Sequence, residues 1–345
     1  MGHEIDLKRY KIRTDLAIEA IENTKEVAGI VSNITEIDNI KITDVVVDEV
    51  GSPKIGKKPG NYITIEFEDV TDFDNKEKVK NVFSQQLKKI IDKIKVDQNA
   101  LVLVIGLGNA KSTPDALGPL TIDNILVTNH LFLLGGLEKG FRRVCAMSPG
   151  VMGETGIETS DLILNAVKSL EPNLVIVIDA LASQSVERLN KTIQMTDTGI
   201  HPGSGIGNQR KEISKEKLGI PVLAVGVPTV VDAVTIVSDT FNYIHKHFSY
   251  TKRNLNNPFN KLVPFSGINY LKKDFEVDEE DRRELFGMIG VLNDNEIKQL
   301  IFEVLTPIGY NLMVTPKEVD FIMEKLSEII GNGINKALHE KVDNL

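Results

Sequence analysis

Hydrophobic and polar positions change rhythm along this chain, and each rhythm predicts a different kind of element. Residues 40–67 hold two β-rich runs, Ile40-Lys41-Ile42-Thr43-Asp44-Val45-Val46-Val47 and Tyr62-Ile63-Thr64-Ile65-Glu66-Phe67. Between them, 51–60 is loaded with Gly, Pro and Lys, as expected for two strands around a turn. Val79, Val82, Phe83, Leu87, Ile90, Ile91 and Ile94 then recur at helical intervals with lysines between them, which predicts a helix over 79–94.

In the centre, 101–105, 175–178 and 222–225 are continuous apolar runs, each bounded by Gly, Pro or Asp. Such runs suit strands buried on both faces of a parallel sheet. Helical patterns at 117–134 and 160–170 lie between them. Strands alternating with helices imply βαβ crossovers. The expected fold class is therefore α/β, a three-layer sandwich with a mostly parallel central sheet. A β-rich extension at about 40–70 precedes it, and C-terminal helices at 296–305 and 316–330 follow. Thr315 and Pro316 read as N-cap and first residue of the last helix. Residues 1–25 are polar around Leu16-Ala17-Ile18 and suit a helix or an extended arm. About 249–284 the chain is rich in Asn, Lys and acidic residues, predicting an inserted loop or a weakly ordered connection. A chain of 345 residues is long enough for one large core.

The net charge of −9 and the absence of a basic patch argue against direct nucleic-acid binding. Trp is absent, which removes the best platform for stacking bases. The single cysteine, Cys145, excludes an internal disulfide and suits a reducing cytoplasm. No signal-like stretch and no run of ~20 apolar residues is present, so neither secretion nor a membrane partner is expected.

Ligands in open α/β sheets bind at the carboxyl ends of the strands. Two carboxylates are delivered there: Asp179 after the second apolar run, and Asp115 in Ser112-Thr113-Pro114-Asp115-Ala116-Leu117-Gly118, just before a helical pattern. Each has an alternative reading as a helix cap. Brought to one sheet edge, the pair would share a proton, giving a base to activate water and an acid to protonate a leaving amine. Asn109 in Gly106-Leu107-Gly108-Asn109, His201 in the glycine-rich loop 199–205, and Asp232 are possible supporting residues near that edge. His201 also reads as a solvated loop residue, and Asp232 as a cap.

Several rival signals fail on their details. The pair Gly106 and Gly108 lacks the third glycine of a dinucleotide loop, Lys111 standing in its place. Asp197-Thr198-Gly199 matches the pepsin triplet but occurs once, in an α/β context, where a turn role suffices. Nothing in its setting activates Cys145, and Ser112 lacks a nucleophile elbow.

In order along the chain, the segments 106–109, 113–119, 149–153, 156–161, 178–182, 199–205, 210–214, 219–221, 228–233 and 311–319 resemble the germination protease family. The likeness is weakest at 249–281. It implies an atypical aspartic endopeptidase without cofactor or metal, whose essential aspartates match Asp115 and Asp179. It also implies small acid-soluble, DNA-coating spore proteins as substrates, a homotetramer, a spore-core location, and a fold similar to hydrogenase maturation proteases. Those relatives hold nickel with carboxylates and a histidine. A metal-dependent enzyme using Asp115, Asp179 and His201 is therefore one alternative, and a non-enzymatic binding protein is another.

Family substrates carry Thr-Glu, a large apolar residue, Ala, a variable residue and Glu, with the cut after the first Glu. Thr14-Asp15-Leu16-Ala17-Ile18-Glu19 follows that pattern with Asp in first place. The expectation is self-cleavage between Asp15 and Leu16, a propeptide of 1–15, and a single domain over 16–345. With the propeptide attached the chain is the zymogen. Acidification would switch on self-cleavage through the proton-sharing pair.

Overall fold

The structure, a computed structural model, describes residues 14–22, 28–135, 137–202, 211–254, 277, 279–305 and 312–342. In chain order it shows α1 (Ala17–Glu22), β1 (Ile30–Ile37), β2 (Ile40–Val47), α2 (Ser52–Ile55), β3 (Gly60–Glu66), α3 (Phe73–Ile94) and β4 (Leu101–Gly106). There follow α4 (Leu117–Asp123), α5 (Asn129–Leu133), β5 (Arg143–Met147), α6 (Met152–Thr155), α7 (Thr159–Leu170), β6 (Leu174–Ser183), β7 (Thr192–Thr196), α8 (Lys215–Leu218) and β8 (Val222–Asp232). The chain ends with α9 (Ala233–Asn254), α10 (Glu279–Phe286), α11 (Asp294–Leu305), β9 (Met313–Val314) and α12 (Val319–Leu338). Contacts divide it into a large unit, Arg13–Val230 with Thr315–Leu345, and a smaller one built on Val231–Val314.

In the large unit the strands run in the order β1-β2-β3-β7-β8-β6-β4-β5. Parallel pairing joins β5 to β4 and β4 to β6. Antiparallel pairing joins β1, β2, β3, β7 and β8 in turn. The expected β-rich extension is therefore continuous with the central sheet, and the sheet is mixed. The chain reverses after β6 through the short turn Val186–Arg188, so β7 comes back antiparallel and bridges the two halves.

Alternate residues of each strand serve opposite layers. On one face, Val102, Val104, Leu174, Ile176, Ile178, Ile193 and Met195 pack with Phe83 and Leu87 of α3 and Met323, Leu326 and Ile330 of α12. On the other, Leu103, Ile105, Val175 and Val177 pack with Ile163 and Val167 of α7. Helices on both faces give the three layers of the α/β class. Further along the second face Leu16 and Ile18 meet Leu181, and α1 places Ala17 against Val45, Val47 and Tyr62.

Several element ends differ from the sequence reading, each for a tertiary reason. The helical pattern at 117–134 is broken into α4 and α5. Asn335 of α12 donates to the Asn124 carbonyl and accepts from Leu126 N, which satisfies the backbone where a helix would otherwise continue. Helix α12 begins at Val319, after the expected Thr315 cap, because the Thr315 hydroxyl donates instead to the Thr229 carbonyl at 2.8 Å. Strands β6 and β8 run well past 178 and 225. Strand β1 carries no apolar face, so its pattern gave no sign of a strand.

Of the propeptide expected at 1–15, residues 1–13 lie outside the described residues, as do 203–205 of the glycine-rich loop and 255–276 of the polar insertion. The flanks of that insertion are helical, 249–254 closing α9 and 279–284 within α10. Lys252 of α9 pairs with Asp281 at 2.8 Å and with Glu284 at 2.5 Å, so polarity there marks ion-paired helix faces.

Candidate active site

Asp179 lies inside β6, with the strand continuing to Ser183. This corrects the reading that placed it at a strand end, and no helix follows for it to cap. Its side chain is 6% exposed, and Oδ1 accepts from Ala180 N at 3.0 Å. Asp179 and Leu181 are two residues apart, so their side chains leave β6 on the same face, about 7 Å apart along the strand.

Asp115 closes the short 3₁₀ turn Thr113–Asp115, which follows β4 and packs against β6. The turn is bound tightly. Asn109 N donates to the Asp115 carbonyl at 3.0 Å and Asp115 N to the Ser112 carbonyl at 2.8 Å. Thr229 Oγ1 of β8 donates to the Pro114 carbonyl at 2.6 Å. Gly108 has φ +112°, and a Cβ there would lie 1.9 Å from the Asp115 carbonyl oxygen. The N-cap position of α4 is Ala116, so Asp115 is not the cap of that helix. Beside the turn, Leu107 N donates to the Ile178 carbonyl at 2.8 Å. The Asp115 turn is thereby brought alongside the stretch of β6 that holds Asp179.

The supporting candidates divide. Asn109 belongs to the Asp115 turn, its side-chain oxygen accepting from Lys111 N at 2.8 Å. His201 is exposed and faces Glu212 at 3.7 Å, in keeping with a solvated loop histidine. Asp232 belongs to the smaller unit and accepts from Val234 N at 2.7 Å, a capping contact at the start of α9. Among the described residues no three His, Cys, Asp or Glu side chains gather as a metal site, so the weighed trio of Asp115, Asp179 and His201 does not form one. Asp197 is occupied by Asn61, whose backbone N and side-chain Nδ2 donate at 2.8 and 2.6 Å. Burial pushes the Cys145 thiol up, away from nucleophilic use.

The segment 14–19 is seated on the Asp179 face. Asp15 N donates to the Ala182 carbonyl at 3.2 Å, and Ala182 N donates to Asp15 Oδ2 at 2.9 Å. Leu16 is fully buried against Leu181 and Ile18. Space for Leu181 depends on Gly226 of β8, where a Cβ would lie 2.5 Å from the leucine side chain. Glu19, also buried, accepts from Ser183 Oγ at 2.6 Å and Gln184 N at 2.9 Å. It also accepts from the Thr14 hydroxyl and lies 3.5 Å from Arg188.

Two residues absent from the sequence reading complete this seat. Gln194 sits between Ile193 and Met195, which face the α3 layer, so its side chain faces the segment. It accepts from Ala17 N at 2.6 Å and donates to the Asp15 carbonyl at 3.1 Å. Lys57, in the turn between β2 and β3, donates to the carbonyls of Thr14 and Asp15 at 2.8 and 3.0 Å. Burial pushes the Lys57 pKa down, against the pull of the Asp15 and Glu19 carboxylates.

The chain matches the family described as germination protease over residues 8–345. Relatives named germination protease include those of Geobacillus sp. (strain WCH70), 49% identical over 99% of this chain and 98% of that one. Others are from Bacillus cereus (strain AH187) and Bacillus thuringiensis subsp. konkukian, each 48% identical over 99% of this chain and 98% of theirs. A crystal structure of a NiFe hydrogenase maturation protease from Thermococcus kodakarensis aligns with 42% of this chain and 80% of its own, at 17% identity and TM-score 0.28.

Proposed function

The chain belongs to the germination protease family and is an endopeptidase, and from that premise we propose that it is an aspartate-dependent zymogen that cuts itself between Asp15 and Leu16. Asp115 and Asp179 share a proton. The ionised member takes a proton from water as its oxygen attacks the Asp15 carbonyl carbon, and the protonated member gives a proton to the Leu16 nitrogen. No metal enters this reading. After processing, the substrates are small acid-soluble spore proteins that coat DNA, cleaved in the spore core during germination. The processed enzyme works as a homotetramer without contacting nucleic acid or membrane. Among the described residues no helix is long and apolar enough to cross a membrane.

The observation that carries the reading is the seat of segment 14–19. Asp15 is bound through both its amide and its carboxylate to Ala182, three residues beyond Asp179 on the same strand. A chance sequence match would not need its apolar residue fully buried and its final glutamate ringed by donors.

The test is intact-mass analysis of the purified chain incubated from acidic to neutral pH, beside Asp115→Asn and Asp179→Asn. Loss of residues 1–15 in the unaltered chain alone is the expected result. Processing in all three would remove both aspartates from the mechanism, and a rate independent of pH would remove proton sharing.

A further inference from the structure

The carbonyl of Asp15 receives two hydrogen bonds from two separate elements, and its chemical position gives them a meaning beyond anchoring. Lys57 Nζ approaches it at 3.0 Å from the β2–β3 turn, and Gln194 Nε2 at 3.1 Å from β7. A carbonyl oxygen accepts two such bonds through its two lone pairs, so this one is saturated. We propose that Lys57 and Gln194 are the oxyanion site of this peptidase; the inference rests on the reading that Asp15–Leu16 is the scissile bond.

Charge makes such a site necessary. When the water oxygen bonds to the Asp15 carbonyl carbon, the π pair moves onto the carbonyl oxygen as a full negative charge. That charge develops on a face already carrying the carboxylates of Asp15, Glu19 and Asp179. An aspartate pair moves protons but offers no positive charge to oppose the new one. The Lys57 ammonium does, on the oxygen that acquires it. In the second half of the reaction the pair returns and the bond from Asp15 carbon to Leu16 nitrogen breaks. The nitrogen takes its proton from the protonated aspartate, so the products are the Asp15 carboxyl and the Leu16 amine. Donors fixed in advance on a water-poor face are worth more than the same donors in solution.

The arrangement also fits better as a transition-state device than as an anchor. The segment is held independently by the paired contacts to Ala182, the burial of Leu16 and the Glu19 cluster. Moreover, the same Gln194 side chain accepts from Ala17 N at 2.6 Å, which aims its amide NH₂ at the Asp15 carbonyl. The leaving nitrogen is oriented as well, Leu16 N donating to Thr14 Oγ1 at 3.0 Å.

The experiment compares Lys57→Met, Lys57→Arg and Gln194→Met in the full chain. It reads the first-order rate of self-cleavage, together with hydrogen-exchange protection of the Asp15 amide in uncleaved protein. Loss of one donor is expected to slow cleavage by about 100- to 1000-fold with Asp15 protection unchanged, and Lys57→Arg is expected to recover part of the rate. Gln194→Met gives an independent answer if Lys57→Met does not fold. Unaltered rates in these variants, while Asp115→Asn and Asp179→Asn stay uncut, would overturn the oxyanion site and leave the aspartate reading standing. Asp15 protection falling in step with rate would make the two residues anchors and also overturn it. An unaltered chain that never cleaves at Asp15–Leu16 would sink the premise and the inference together.

Discussion

Leu16→Ala isolates what the apolar part of the seat contributes. The leucine is fully buried, and its neighbours Leu181 and Ile18 cannot wholly close over a missing isobutyl group. Such truncations cost about 2–5 kcal/mol. The lower half of that range applies here, because the segment is a short arm whose partners include its own Ile18. A loss of about 2.8 kcal/mol is a hundredfold change in an equilibrium constant. That change falls on the seating of the arm, not on global unfolding, because the cluster of Leu16 is separate from the main core between the sheet, α3 and α12. Native-state hydrogen exchange reads both at once. The Ala17 amide, held by Gln194, should exchange about 100-fold faster in uncleaved Leu16→Ala chain. Amides of β4, such as Val104, should be unaffected. An unchanged Ala17 rate would mean that polar contacts alone hold the arm. Equal acceleration in β4 would mean the arm opens only when the whole unit unfolds, and the separate-seat argument would fail.

Two further outcomes follow from buried geometry. His339 is 1% exposed and accepts from Arg142 N at 3.1 Å; burial, aided by Arg142, depresses its pKa from 6.5 to about 4. The unfolded chain therefore binds this proton first, so the stability contribution is complete above about pH 6.5 and is lost as pH falls toward 4. At pH 5 the loss is about 2 kcal/mol. It should appear as a fall in urea midpoint between pH 7 and pH 5 that His339→Asn shows much less, and equal falls in both proteins would refute the argument. Gly108→Ala would place a Cβ 1.9 Å from the Asp115 carbonyl at a φ of +112°. Displacing that turn by about an ångström should slow self-cleavage by ~100-fold while circular dichroism stays native, and a normal rate would show that the Asp115 turn tolerates movement.

The parallel half of the fold was legible because buried central strands are uniformly apolar. The run 101–105 covers β4 up to its closing Gly106, and the Asp115 turn follows as the sheet-edge rule requires. Legibility failed where long-range partners set the outcome. Asp179 reads as a strand end, since an acidic residue closes Val175-Ile176-Val177-Ile178. Yet the strand continues to Ser183 within the sheet beside the long strand β8, and Asp15 bonds to its far end at Ala182. Asp115 and Asp179 could be nominated from sequence because carboxylates following apolar runs stand out. Gln194 could not, since one polar residue between Ile193 and Met195 is ordinary strand alternation. Its significance arises only once β7 lies between β3 and β8. Lys57 is one of several lysines in a turn, and only the fold selects it. Leu16 and Glu19 were legible through the substrate-like pattern; the donors around Glu19 were not.

On the proposed reaction, the seat works against its own product. Before the cut, the Leu16 nitrogen is an uncharged amide whose single proton goes to Thr14 Oγ1. Afterwards it is an ammonium with three donors, in a position where the leucine has no exposure. A buried charge without sufficient partners costs several kcal/mol, a magnitude comparable to what the Leu16 side chain contributes by burial. The other new end behaves oppositely. The Asp15 carboxylate gains charge where Lys57 and Gln194 already point at its oxygen, so that half is held more firmly. Cleavage thus loosens the Leu16 side, which must vacate the Leu181 surface before another chain can lie there, and the piece ending at Asp15 is the slower one to leave. Faster exchange of the Ala17 amide in processed than in unprocessed protein is the expected sign. If that amide stayed equally protected, the new N-terminus would still fill the site, and activity toward other proteins would have to use a different surface.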